Sequence, residues 1–120
     1  MRTGMAIAAL TALSFATACR PQQTAPPGSP AVAITFVDLA FQPNTIELTA
    51  GQATTLTARN AGVVEHDLQV KVGSQSIHLH ARPGQQVNQV VTVREAGSYQ
   101  FICTIPGHAD AGMRGTLTVK

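Results

Sequence analysis

The sequence predicts an all-β protein, a two-sheet Greek-key β-sandwich of about eight strands. From Ala31 onward no window carries a 3.6-residue hydrophobic period. Short segments rich in Val, Ile and Thr alternate apolar with polar positions instead, as half-buried strands do. Gly, Pro and Asn signals separate these segments at the even spacing of a sandwich.

In order, the alternating sets are Val32, Ile34 and Phe36; Ile46 and Leu48; Thr54, Leu56 and Ala58; and Leu68, Val70 and Val72. Ile77 and Leu79 follow, then Val87, Gln89, Val91 and Val93, then Tyr99, Phe101 and Cys103, and finally Leu117 and Val119. Turns are placed at Ala50-Gly51-Gln52, Val72-Gly73-Ser74, Pro83-Gly84-Gln85 and Glu95-Ala96-Gly97. A domain over residues 31–120, about 90 residues, is enough for one modest core and not for two.

Composition narrows the function classes. Only 12% of the 120 residues are charged, and the formal charge of +2 is spread without a basic run to grip phosphates. With no Trp and one Tyr, the chain has no aromatic platform on which bases would stack. Nucleic acid is therefore not an expected partner.

The start of the chain reads as export machinery. Met1-Arg2-Thr3 is a short positive segment, and an apolar, small-residue run from Gly4 ends at Ala16-Thr17-Ala18. Residues 1–18 thus have the pattern of a secretory signal peptide. The apolar run is shorter than the ~20 residues a bilayer-spanning helix requires. Ala16-Thr17-Ala18-Cys19 also resembles the bacterial lipobox, which makes Cys19 a lipidation candidate. Ala16 stands where that motif usually has Leu, and ordinary cleavage after Ala18 would leave the same N-terminus. Residues 19–30 hold prolines and no large apolar side chain, the composition of a tether. A Pro-rich stretch extended at ~3.1 Å per residue would hold a domain roughly 30 Å from a membrane. The two cysteines, Cys19 and Cys103, allow a disulfide, but their separation favours separate roles.

Chemistry concentrates in Cys103-Thr104-Ile105-Pro106-Gly107-His108-Ala109-Asp110-Ala111-Gly112-Met113, a C-x4-H-x4-M pattern. Cys103 closes one strand and Gly115 opens the next, so the three donors share a loop at one end of the sandwich. His66 lies where a Gly-containing loop meets a strand, and chain reversal would bring it beside Cys103. Taken singly, a Met is usually core, a buried Cys an inert small hydrophobe and a His a surface residue. Taken together, a thiolate, two imidazoles and a thioether form the His₂Cys set with a weak axial Met that suits copper.

Asn60 to Leu68 and Tyr99 to Val119 resemble the cupredoxins, the small type 1 (blue) copper proteins, and the likeness runs from about Ala31 to Lys120. The C-x4-H-x4-M spacing is similar to that of auracyanin and rusticyanin, whereas the short His66-to-Cys103 interval is nearer pseudoazurin or amicyanin. The subfamily stays open. The resemblance implies one copper ion cycling between Cu(I) and Cu(II), with His66, Cys103 and His108 as strong ligands and Met113 as the axial one.

Around these, Asn60, Asp67 and Thr104 are candidates for a supporting shell, with a hydrogen bond expected between Asp67 and Thr104. Asn is common in the family where Asp67 stands, and an ionised carboxylate there would lower the copper potential. Val63, Val64, Ile105, Pro106 and Ala109 should form an exposed apolar patch beside His108, with Asp110 its only obvious charge. In the family the corresponding His edge passes electrons, which implies brief docking of redox protein partners by a monomer. His78 and His80 fall on one side of a strand, as two solvent-facing histidines or a second metal site.

These residues predict a one-electron carrier working outside the cytoplasm, in the periplasm or on the outer face of a bacterial membrane. Membrane contact is expected only through a lipid at Cys19. A copper-trafficking or copper-storage protein is the alternative. A hydrolase is not expected, because four donors closing on one point leave no substrate position and no oxyanion hole. Catalytic zinc meets the same objection, since it keeps an open coordination position.

Overall fold

In a computed structural model, residues 24–120 are described. The signal segment, Cys19 and the first part of the tether lie outside them. Nine strands follow one another: β1 (Ala31–Val37), β2 (Ala40–Gln42), β3 (Thr45–Leu48), β4 (Thr54–Asn60), β5 (His66–Val72), β6 (Gln75–Ala81), β7 (Gln86–Val91), β8 (Gly97–Ile102) and β9 (Arg114–Val119). They form a four-stranded sheet in the order β2-β1-β4-β7 and a five-stranded sheet in the order β3-β9-β8-β5-β6. β1 pairs with β4, and β3 with β9, in parallel. The remaining pairs are antiparallel.

The period-two pattern sets which side chains meet. Thr54, Leu56, Ala58 and Asn60 of β4 are buried, as are His66, Leu68, Val70 and Val72 of β5 and Ile77, Leu79 and Ala81 of β6. These sets face one another between the sheets with Ile34, Phe36, Phe101 and Leu117. Phe41 is edge-on to both Phe36 and Phe101, with ring centroids 5.4 and 5.0 Å apart. Gly115 is required beside this cluster, because a Cβ there would fall 2.1 Å from Phe101 Cζ.

The sequence reading places about eight strands, and the ninth is β2. Three residues are too few to display alternation, and only Phe41 among them is buried. The two-residue turn Asp38-Leu39 joins β1 to β2, with Leu39 at φ 63, and a cis Gln42–Pro43 peptide bond leads toward β3. The tether is not extended throughout. Ser29 N–H donates to the Pro26 carbonyl, so the chain turns there before Pro30 accepts from Thr55 N–H.

Register defines two poles. Ala31 is opposite Thr55 and Phe36 is opposite Asn60. The chain therefore enters the sandwich at one pole and delivers Asn60 and the start of β5 to the other. The loop from Cys103 to Met113 closes over that second pole.

Replacing Phe101 with Ala removes its edge-on contact with Phe41 and should cost about 3–5 kcal/mol, the usual range for a buried aromatic. A urea titration should report this as a lowered midpoint with little change in slope.

Candidate metal centre

Strand alternation aims two of the donors. His66 opens β5 on the inward-facing set and is fully buried. Cys103 continues the inward set of β8 two residues beyond Phe101 and is also fully buried. The loop after it is held by its own main chain. Cys103 N–H donates to the Met113 carbonyl at 3.1 Å, and Met113 N–H donates to the His108 carbonyl at 3.0 Å. His108 N–H in turn donates to Ile105 O at 3.1 Å. Three donor residues thereby become one rigid unit.

Their side chains converge on His66. The two Nδ1 atoms of His66 and His108 are 3.2 Å apart, and Cys103 Sγ is 3.5 Å from His108 Nδ1. Among the described residues, these three form the group whose ligand atoms all lie within 4.8 Å of one another. Atoms each bonded to one first-row metal ion at roughly 2.0–2.3 Å would show separations of this size. Met113 is completely buried in the adjoining core and tied by main chain to both Cys103 and His108. Two imidazole nitrogens, a thiolate and a nearby thioether are a soft-to-borderline donor set, suited to a copper-type ion.

The outer nitrogen of His66 has a partner that sequence reasoning missed. Asp38 Oδ1 lies 3.1 Å from His66 Nε2. With the proton on Nε2, the imidazole donates to this carboxylate and leaves Nδ1 facing the centre, as a ligating histidine requires. That hydrogen bond holds the Asp38 carboxyl below its ordinary value. The same carboxylate accepts from Val63 N–H. Gly62 makes the approach possible, since a Cβ there would sit 2.3 Å from Asp38 Oδ1 and 3.0 Å from His66 Nε2. No local motif marks Asp38, which is 28 residues from His66 in the chain.

Asn60 fixes the loop that carries Val63 and Val64. Its buried amide donates to the carbonyls of Val64 and Ala81 at 2.8 and 2.9 Å, and its Oδ1 accepts from Gly62 N–H at 2.8 Å. At the other side of the centre, the bond between Asp67 and Thr104 is present and double. Asp67 Oδ1 accepts from Thr104 N–H and Oδ2 from Thr104 Oγ–H. Burial pushes the Asp67 carboxyl up, but hydrogen bonds from Thr104, His78 and Cys103 outweigh it and leave the group below its ordinary value. It is therefore the carboxylate at neutral pH. Burial pushes the Cys103 thiol up, against hydrogen bonds from the main-chain N–H groups of Asp67 and Ile105 and with the Asp67 charge. Such a sulfur resists ionisation until a metal displaces its proton.

At the same pole, the loop between β4 and β5 leaves Val63 81% and Val64 45% exposed. Ile105 and Ala109 are half-buried there, and Pro106 is exposed. Leu39, 45% exposed at the tip of the β1–β2 turn, joins this pole through the contact of Asp38 with Val63. Asp110 is not its sole charge: Arg114 pairs with Asp110 at 3.7 Å and donates through Nε to Ala109 O, and the half-exposed Asp38 lies under Val63. His78 and His80 face outward and bond to Asp67 at 2.8 Å and Glu65 at 3.2 Å, respectively.

A family profile described as a cupredoxin-like domain matches residues 5–119. The copper-resistant cuproprotein CopI of Rubrivivax gelatinosus is 31% identical over 100 residues, covering 68% of this chain. This chain spans 61% of that relative's length. Among solved structures, auracyanin A, a "blue" copper protein of Chloroflexus aurantiacus, is 27% identical with a TM-score of 0.68, over 78% of this chain and all of the other. Dithionite-reduced auracyanin of Roseiflexus castenholzii is 22% identical with a TM-score of 0.67, over 77% and 98% of the two chains. A reduced amicyanin variant is 20% identical with a TM-score of 0.56, over 75% and 82%. The last two likenesses concern the fold.

The depressed Asp67 carboxyl links stability to pH. Its contribution is complete above the ordinary value of 3.8 and is lost as pH falls through the lower folded value. In the metal-free protein, Asp67→Asn should therefore lower the urea midpoint near neutral pH, with the gap to wild type closing in strong acid. A gap that stayed constant with pH would contradict the sign of this linkage.

Proposed function

The chain belongs to the cupredoxin-like domain family, and on that premise we propose that it binds one copper ion and carries single electrons between redox proteins. The observation that carries this reading is the convergence of His66 Nδ1, His108 Nδ1 and Cys103 Sγ beside the buried Met113. His66, Cys103 and His108 would hold the ion, with the Met113 thioether as a fourth, weaker donor. The ion supplies a Cu(II)/Cu(I) couple that can take up and release one electron.

The protein's share of the work is to keep the donors still. Asp38 and Asn60 orient His66 and its loop, while Asp67 and the Cys103–Met113 main-chain bonds fix the Cys103 side. A site that need not rearrange between oxidation states exchanges electrons at little reorganisation cost. His108, half-buried on the loop that also carries Ile105 and Ala109, offers the short route to a partner. A small apolar patch of this kind supports weak, transient docking by a monomer. The signal-like residues 1–18 and the lipobox-like Cys19 support export and a lipid anchor on the outer side of a bacterial membrane.

Copper trafficking or storage is the second reading, favoured by the likeness to a copper-resistance protein. Copper loading separates the two. A carrier should develop an intense visible thiolate-to-copper band and a matching EPR signal, retain the ion against a chelator and be reduced reversibly by one electron. Cys103→Ser should abolish the band. Equal spectra for wild type and Cys103→Ser would remove Cys103 from the ligand set, and ready release of copper from a colourless protein would favour trafficking.

A further inference from the structure

On the outer face of β5 and β6, two imidazole–carboxylate pairs lie side by side, His78 with Asp67 and His80 with Glu65. They do not assemble into a second metal site. Among the described residues, the one group of three or more donors within 4.8 Å is His66, Cys103 and His108. The two pairs are also unlike each other. His80 and Glu65 are both exposed, so their contact is screened by water. Asp67 is only 4% exposed, whereas His78 is 49% exposed and places Nε2 2.8 Å from Asp67 Oδ2.

Asp67 has no slack. Its Oδ1 accepts from Thr104 N–H, and its Oδ2 is shared between Thr104 Oγ–H and His78. Thr104 directly follows Cys103 in the chain. The carboxylate thus holds the main chain immediately after Cys103, and His78 is its contact with the outer face. Gln69, opposite His78 on β5, is neutral, as is Ile102 beyond it on β8. β7, which packs along β6, carries no titratable side chain.

We propose that His78 is a positioning residue of the metal centre: by donating Nε2–H to Asp67 Oδ2, it sets the orientation and effective charge of the carboxylate that holds Thr104, and so the placement of the adjoining Cys103 side chain. The proposal rests on the copper reading above. A donor on Asp67 draws negative charge away from the centre, and withdrawing negative charge favours Cu(I) over Cu(II). Loss of that donor shifts the balance toward Cu(II). An amide at the same position can donate to Asp67 in place of the imidazole.

The test uses the full chain with His78→Ala, His78→Gln and His80→Ala, with two readouts. In the metal-free protein, the Thr104 amide should change its NMR shift and exchange faster in His78→Ala, and recover in His78→Gln. In the copper-loaded protein, His78→Ala should lower the Cu(I)-to-Cu(II) binding ratio by about threefold to tenfold, the latter equal to about 59 mV for a one-electron couple. His78→Gln should restore most of it, and His80→Ala should leave both readouts unchanged. An unmoved Thr104 amide in His78→Ala overturns the proposal, as does an unmoved potential or an equal response in His80→Ala. Failure of the wild type to take up copper would instead defeat the copper reading, and the amide measurement does not depend on it.

Discussion

The hydrogen bond from Cys103 N–H to the Met113 carbonyl closes the loop between β8 and β9 on itself, and the metal centre depends on that closure. Without it, the donors would be three side chains on a surface segment, each free to take its own rotamer. Closed, and joined by the bond from Met113 N–H to His108, the segment inherits the rigidity of the two strands that enter and leave it. Gly115 belongs to the same device, because its missing side chain lets β9 lie against Phe101 directly beneath the loop. The packing of the core and the placement of the donors are thus one problem with one solution.

The second constraint comes from elsewhere in the chain. His66 is fixed from behind by Asp38, on the turn between β1 and β2, and its loop is fixed by Asn60 at the end of β4. The two sheets therefore each contribute to the centre: one supplies Asp38 and Asn60, the other His66 and Cys103. Gly62 leaves room for Asp38 and His66 to meet. A site assembled across the sandwich holds its geometry only while the sheets hold their register.

What the sequence made legible follows from how local each signal is. Strands of six or seven residues announce themselves by alternation, and the C-x4-H-x4-M run announces itself by spacing. β2 did not, because three residues cannot establish a period. Asp38 and His78 did not, because their partners are fixed only when distant segments pair. An aspartate in a turn and a histidine on an outer strand face are ordinary in isolation. Asp67 sits between these cases: its place next to His66 drew attention to it, and its bond to Thr104 could be anticipated from the neighbours of two donors. Its third contact, with His78, depended on the register of β5 against β6, which alternation alone does not set. The tether illustrates the opposite error, since its proline content suggested an extended chain through residues that in fact turn at Pro26 to Ser29.

The point of entry into the sandwich has a directional consequence. Pro30 is stitched to Thr55, and β1 then runs about 20 Å, at ~3.3 Å per residue, toward the pole where Asn60 precedes the loop that carries Val63. Anything holding the chain from its beginning grips it by the heel. On the proposed reading, in which Cys19 anchors the chain and the apolar pole docks partners, that pole would look away from the mooring, and a leash need not be long for contact to be unobstructed.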